Sequence, residues 1–208
     1  MITPKALLNA AHAKAVFGRR IQILSGHIAQ ILGDEPGTIL DVGCGDGTLA
    51  VAVSKLKPKL SFTGIDVFLR PNVAIPAVAY DGLTIPMPEK SVDWVTIVDV
   101  LHHTDDPRAV LAECIRVARR GVVIKDHSLE GSFAYTTLRF MDWVGNRGHD
   151  VRLPYNYMSP SEWTDLFQGL GLMLSDYRGT LGIYPQPFSL VFDRGLHFVA
   201  RVEPKDVK

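Results

Sequence analysis

The stretch Thr38–Thr48, TILDVGCGDGT, decides how the rest of the chain is read. Thr38 to Val42 is short, apolar and β-branched, with one acid, Asp41. That is the composition of a buried strand, and the run is too short for a helix. Three glycines follow at alternate positions, Gly43, Gly45 and Gly47. Glycine admits positive φ and lets another group approach where a Cβ would clash. Leu49 to Lys55 is a helix-forming run. Strand, glycine bend and helix together present backbone N–H groups and a helix N-terminus to a bound molecule.

The spacing narrows the ligand. A dinucleotide fingerprint sets glycines at its first, third and sixth positions. Counted from Gly43, the sixth position is Thr48, so that pattern fails. Asp41 just before the bend and Asp46 within it would repel a pyrophosphate. They suit a ligand that carries cationic groups. ILDVGCGDG resembles the first motif of class I S-adenosylmethionine (SAM) dependent methyltransferases, and SAM carries an ammonium and a sulfonium. An ordinary tight turn in some other Rossmann-like protein is the alternative. The resemblance implies an α/β fold: a Rossmann-like, seven-stranded, mostly parallel sheet in order 3-2-1-4-5-7-6, last strand antiparallel, flanked by helices. It implies SAM as cofactor, S-adenosyl-L-homocysteine as product, and Asp41, Gly43, Cys44, Gly45 and Asp46 as cofactor-binding residues.

Composition bounds the rest. The chain has 208 residues, which suits a single domain, and 47% of them are hydrophobic. Lys+Arg and Asp+Glu are each 22, with no basic cluster, so nucleic acid is not the expected partner. The cysteines, Cys44 and Cys114, are far apart and form no metal pattern; reduced thiols in a cytoplasmic protein are the simple reading. No apolar run is long enough to enter and span a bilayer, and Lys14, Arg19 and Arg20 interrupt any signal-peptide core.

Two N-terminal helices are expected within residues 1–34, Pro4 to Val16 and Gly18 to Leu32. Ile21, Leu24, Ile28 and Ile31 mark the apolar face of the second, and Gly33 ends it. Helices before the first strand often close over the cofactor in this family. The resemblance therefore implies that Arg19 or Arg20 meets the SAM carboxylate; a solvated basic corner is the other reading. Leu60 to Asp66 is the second strand. An acid at its end, about 20 residues beyond the first glycine, accepts ribose hydroxyls in Rossmann-type sites, with Val67 beside it. Ala77 to Tyr80 is an edge strand, closed by Asp81 and Gly82. An acid there resembles the family residue that accepts the adenine amino group; an Asx turn is the alternative.

Trp94 to Val98 is the fourth strand, followed by DVLHHTDDP, Asp99 to Pro107. This resembles the VLHH-with-DP signature of the methyltransferase branch that acts on small molecules. The resemblance places Asp99, Val100 and His103 at the cofactor. Asp106-Pro107 caps a helix through about Arg119. Gly121 to Asp126 is the fifth strand, and His127 follows. Strand carboxyl ends face the ligand crevice in open α/β sheets, so Asp99, His102, His103, Asp126 and His127 should crowd one space.

Residues 128–158 are longer than a plain connection and read as a helical lid, with a helix over Ser132 to Val144. Phe140 and Trp143 are assigned to the core. Tyr135, His149, Tyr155 and Tyr157 are assigned to the substrate side, with Asp126. Ser159 and Glu162 form a capping box for a helix to Gly169. Leu170 to Tyr177 and His197 to Val202 are late strands, with the long link between them reaching toward the site.

Methyl transfer from SAM is an in-line displacement. The protein aligns donor and acceptor, excludes water and, for a hydroxyl or acidic carbon, removes a proton. Histidine suits that last task. His127 or His103 is the candidate base; a reaction without a dedicated base stays open. His102 reads as structural or as shaping the SAM pocket, and His12, His27 and His197 as surface or packing residues. Asp99, Asp126 and His127 imitate the clustered acids of metal-dependent enzymes, but no ligand pattern accompanies them, so no metal is expected. The competing functions are a non-catalytic SAM-binding subunit and a nicotinamide-dependent oxidoreductase. Motifs do not carry over the lid, so the acceptor and the oligomeric state stay open.

Overall fold

The computed structural model describes residues 4–146 and 154–205, with side chains from Phe17 onward except at 145 and 146. Strand β1 (Gly37–Val42) lies inside a seven-stranded sheet. It is flanked by β2 (Leu60–Asp66) and β4 (Val92–Val98), both parallel to it. β3 (Ala77–Ala79) extends one side; β5 (Ala118–His127), β7 (His197–Pro204) and β6 (Leu172–Arg178) extend the other. The order is β3-β2-β1-β4-β5-β7-β6, with β7 antiparallel to both neighbours, as the resemblance implies. Because β1, β2, β4 and β5 run the same way, Val42, Asp66, Val98 and His127 finish at one edge.

Helices cover both faces, which explains strands that are nearly all apolar. On one face Leu40 and Val42 pack against α3 (Pro107–Val117) and α5 (Pro160–Gly169) through Leu111, Cys114, Trp163 and Phe167. On the other, Ile39 and Trp94 meet α1 (Pro4–Leu32) and α2 (Thr48–Leu56) through Leu24, Ile28 and Val53. β5 divides in the same way, with Val122 and Ile124 on the first face and Val123 on the second. Each such side chain contributes about 1.5–3 kcal/mol. A slip of one residue would exchange the faces, so this burial holds the register of the strand ends.

Several elements differ from expectation. The two N-terminal helices are one, α1. Glycine within a helix costs about 1 kcal/mol. Nothing lies within 4 Å of a Cβ built on Gly18, and burial of Leu24, Ile28 and Ile31 anchors the helix beyond it. α3 stops at Val117, short of Arg119, because Ala118 pairs with Val92 and opens β5 there. The lid helix is α4 (Ala134–Asn146). Its buried stripe is Ala134, Leu138 and Asp142, so Phe140 and Trp143 lie on the outside, 53% and 49% exposed, and not in the core. A short helix, α6 (Ser189–Phe192), interrupts the link before β7. The capping box of Ser159 and Glu162 is formed as expected. Among the described residues no helix is long and apolar enough to cross a membrane.

Candidate active site

The glycine bend is tied to the end of β2. Gly43 and Cys44 N–H both donate to Ile65 O, at 2.8 and 3.2 Å. Gly45 N–H donates to Asp66 Oδ2 at 2.8 Å, and Phe68 N–H to Asp66 Oδ1 at 2.9 Å. Gly43 has φ +71°, and a Cβ there would lie 2.3 Å from Val100 Cγ2. Only glycine therefore lets the bend pass this close to the end of β4. Gly45 has φ +57°, and a Cβ there would have as its nearest neighbour Arg70 Cζ, 4.0 Å away. Its outer side is open space for a ligand.

Asp46 Oδ1 accepts from Thr48 N–H at 2.9 Å, which steadies the first turn of α2. Asp41 turns the other way. It is buried, and its Oδ1 accepts from the Thr96 hydroxyl at 2.7 Å. Burial pushes its carboxyl up to about 7, with the Thr96 bond opposing this in part. Asp41 is thus a support between β1 and β4, and the acids at the bend are Asp46 and Asp66. Burial also pushes the Cys44 thiol up to about 12, so it stays protonated.

Beyond Asp66 the wall is apolar. Val67 is 64% exposed, and its Cγ1 lies 3.0 Å from a Cβ built on Gly82, which brings the β2 end beside the Asp81–Gly82 turn. Asp81 Oδ1 accepts from Leu83 and Thr84 N–H, both at 2.8 Å. These bonds hold its carboxyl below the usual range. The Asx turn is therefore real, and Oδ2 takes no part in it.

Opposite this wall, Asp99 follows β4 with φ +53°. One carboxylate oxygen holds the Lys125 ammonium, and the other holds the Arg20 guanidinium from α1. Burial alone would raise the Asp99 carboxyl; Lys125 and Arg20 outweigh it and keep the group well below the usual range. Lys125 is 1% exposed, and its ammonium also approaches His197 Nδ1 at 3.5 Å.

Four imidazoles gather behind Asp99. His102 and His103 belong to a 3-10 turn, Leu101–His103, with ring centroids 3.9 Å apart; His127 lies 4.5 Å from His102 and 4.9 Å from His197. His102 Nδ1 pairs with Asp126 Oδ1 at 2.6 Å, and its Nε2 lies 3.3 Å from Asp142 Oδ2. Burial opposes its charge, but the two carboxylates prevail and push its pKa up to about 10. His102 is therefore an imidazolium joining β5 to the lid helix. Burial, then the His102 charge, lowers His103 to about 4. Burial, then Lys125, His102 and His197, holds His127 well below its usual value. Both are neutral at physiological pH, and the Nδ1 atom of each is buried without a hydrogen-bond partner.

The expected convergence of Asp99, His102, His103, Asp126 and His127 is present. Two of the assigned substrate contacts are corrected. Asp126 is fully buried: its oxygens are taken by His102 and by the N–H groups of Leu101 and His127. Tyr157 is buried as well. Its hydroxyl donates to Asp142 and its ring centroid lies 5.5 Å from that of His102. Tyr135 is 47% exposed and Tyr155 half-buried, so both keep an open side. His149 lies outside the described residues.

A family model described as a methyltransferase domain matches residues 40–124, from β1 to β5. The ubiquinone biosynthesis O-methyltransferase of Pseudomonas fluorescens strain Pf0-1 is 32% identical over 160 residues, covering 68% of this chain and 66% of that protein. The chain thus spans just under two thirds of the length of that curated relative. A SAM-dependent methyltransferase from Aquifex aeolicus superposes with a TM-score of 0.57 at 20% identity, over 86% of this chain and 89% of that one. Residues 40–124 therefore carry a methyltransferase domain, and the chain has the fold of the SAM-dependent methyltransferases. The methyltransferase chain solved with the Haloferax volcanii Trm112 methyltransferase activator shares the fold, with a TM-score of 0.71 at 16% identity over 94% and 95% of the two chains.

Within this fold three side chains of the cluster were not singled out from the sequence. Lys125 interrupts an apolar strand, GVVIKD, and a lone lysine there was a usable signal. Asp142 falls on the Ala134–Leu138 stripe of α4, where an apolar residue would be expected. His197, read as a surface or packing residue, is buried in the cluster, and only the β5–β7 pairing brings it there. Two sets of side chains have the disposition of metal ligands: Asp99, His102 and His127, and His102, His103 and Asp142. Both are already charge-paired, the first through Lys125 and Arg20 and the second through the His102 imidazolium.

Proposed function

We propose that this methyltransferase moves a methyl group from SAM to a hydroxyl of a small molecule. The observation that carries the reading is one juxtaposition at the sheet's carboxyl edge. An open, acid-anchored glycine bend lies across the same edge from two neutral, buried-faced imidazoles. The O-methyltransferase relatives support oxygen as the acceptor atom. Two free, buried cysteines accord with a reducing, cytoplasmic setting.

The residues present fit SAM. Gly45 leaves room on its outer side, and Asp66 retains lone pairs beyond its two backbone bonds for ribose hydroxyls. Val67 and Gly82 offer an apolar wall for adenine, and Asp81 Oδ2 an acceptor for its amino group. Arg20 offers a cation for the amino-acid carboxylate, with Asp99 beside it for the ammonium. When bound, SAM supplies an electrophilic methyl on a sulfonium.

The chain's own residues then do three things. The bend, Asp66 and Arg20 orient the donor against the histidine cluster; such alignment is worth up to about 7–11 kcal/mol. α4 with Tyr155 and Tyr157 covers the acceptor side and excludes water. His103 takes the hydroxyl proton: it is neutral and half-buried, so it keeps access to the cleft, whereas His127 is closed in behind it.

The test is transfer of labelled methyl from SAM to a panel of phenols and catechols, comparing wild type with His103→Ala and His127→Ala. The reading expects transfer by wild type and a loss of about 10²–10⁴-fold in kcat for His103→Ala. SAM binding without transfer to any oxygen, nitrogen, carbon or sulfur acceptor in a metabolite extract would make the chain a binding subunit instead.

A further inference from the structure

We infer that the outer face of the lid is a docking surface for an anionic lipid bilayer. α4 buries Ala134, Leu138 and Asp142 and turns Phe140 and Trp143 outward. Phe133, just before the helix, is 79% exposed. The α6 segment adds Phe188, Leu190 and Val191, all exposed. The two elements are joined: the Arg194 guanidinium donates to Ser132 O at 2.9 Å and to Thr137 Oγ1 at 3.4 Å.

Charge selects the occupant. Arg139 and Arg194 are the exposed ionised side chains on α4 and residues 185–194. The carboxylates of these segments face inward: Asp142 is buried, and Asp193 accepts from Ile183 and Tyr184 N–H at 3.2 and 2.9 Å. The chain as a whole is neutral, so this bias belongs to the face. Protruding aromatic and aliphatic tips with guanidinium groups between them, and no exposed carboxylate among the described residues of α4 and 185–194, match a helix lying in the phospholipid interface; Glu130, ahead of Phe133, is the exposed acid at its border. The face presents protruding tips, which suits a deformable lipid surface. Its inner side packs on Tyr155 and Tyr157, so docking brings the acceptor side of the site against the bilayer.

The full chain is mixed with phosphatidylcholine vesicles with and without phosphatidylglycerol and followed by co-sedimentation and tryptophan emission. Trp94 and Trp163 are each 5% exposed and Trp143 is 49% exposed, so an emission shift reports the lid. Expected are a blue shift and sedimentation with the anionic vesicles, both diminished by salt. Phe133→Ser/Phe140→Ser should partition at least tenfold more weakly while its circular dichroism and its binding of S-adenosyl-L-homocysteine are unchanged. No association with anionic vesicles, or equal association of the variant, overturns the inference. Concentration-dependent dimers that the double variant abolishes, without lipid binding, would assign the face to a second copy instead. The vesicle-binding and dimer outcomes do not depend on the donor or acceptor, and circular dichroism alone suffices as the folding control.

Discussion

The ammonium of Lys125, 1% exposed on β5, is clamped to the carboxylate of Asp99 at the end of β4. That contact fixes the residue at φ +53° that receives Arg20 from α1. Sheet and N-terminal helix are thereby joined by alternating charges, Lys125, Asp99 and Arg20. A buried ammonium is tolerated only when paired, because its desolvation is costly.

Lys125→Met should therefore destabilise the fold by about 3 kcal/mol, the low end for breaking a buried pair, since Asp99 keeps Arg20. Denaturant unfolding of the two proteins measures it. An unchanged midpoint would mean that the methionine packs as well as the ion pair did.

Arg20→Ala separates binding from chemistry. A charged hydrogen bond contributes about 1.5–3 kcal/mol, so the KM for SAM should rise about tenfold or more, with kcat little altered. The same fall in kcat as in kcat/KM would instead place Arg20 at the reacting atoms.

His102 gives the stability a pH signature. Its pKa is raised to about 10 from an ordinary 6.5, so the folded state favours the charged form. The stabilisation is complete below pH 6.5 and disappears as pH rises toward 10. At neutral pH His102→Ala should lose about 3–5 kcal/mol. The difference between wild type and variant should shrink steadily between neutrality and pH 10. Thermal unfolding across that range checks both statements.

Gly43 isolates the backbone requirement of the bend. Gly43→Ala adds a methyl 2.3 Å from Val100 Cγ2 at φ +71°. Overpacking costs about 1–3 kcal/mol and the left-handed conformation about 1–2 kcal/mol more. Adding Val100→Ala should relieve the first part and leave the second. Unfolding free energies of the single and double variants make the comparison.

Local features were legible in the sequence. The bend, Asp66 and the Asp99–Pro107 run are defined by neighbours in the chain, and the strand order came with the resemblance they carried. Side-chain partners were not legible where they come from separate elements. The end-of-strand rule located Asp126 correctly, but it could not show that His102, Leu101 and His127 consume its oxygens. Helix phase failed for Phe140 and Trp143, because a buried aspartate, Asp142, occupies the core stripe. Asp142 and Tyr157 bond to each other across the lid, so neither reads as buried alone.

The His103 assignment has a kinetic counterpart. With its pKa lowered to about 4, His103 is deprotonated throughout the neutral range. kcat/KM should fall on the acid side only as pH approaches 4, with no inflection near 6.5. An inflection near 6.5 that vanishes in His103→Ala would mean an imidazole more exposed than the one described.

The central claim is that the bend anchored by Asp66 receives SAM at the carboxyl edge of the sheet. Calorimetric titration with S-adenosyl-L-homocysteine measures it most directly. One site per chain is expected, with affinity at least tenfold weaker in Asp66→Ala, whose lost ribose contacts are hydrogen bonds to a charged group. No heat of binding in wild type, or undiminished affinity in Asp66→Ala, would contradict it.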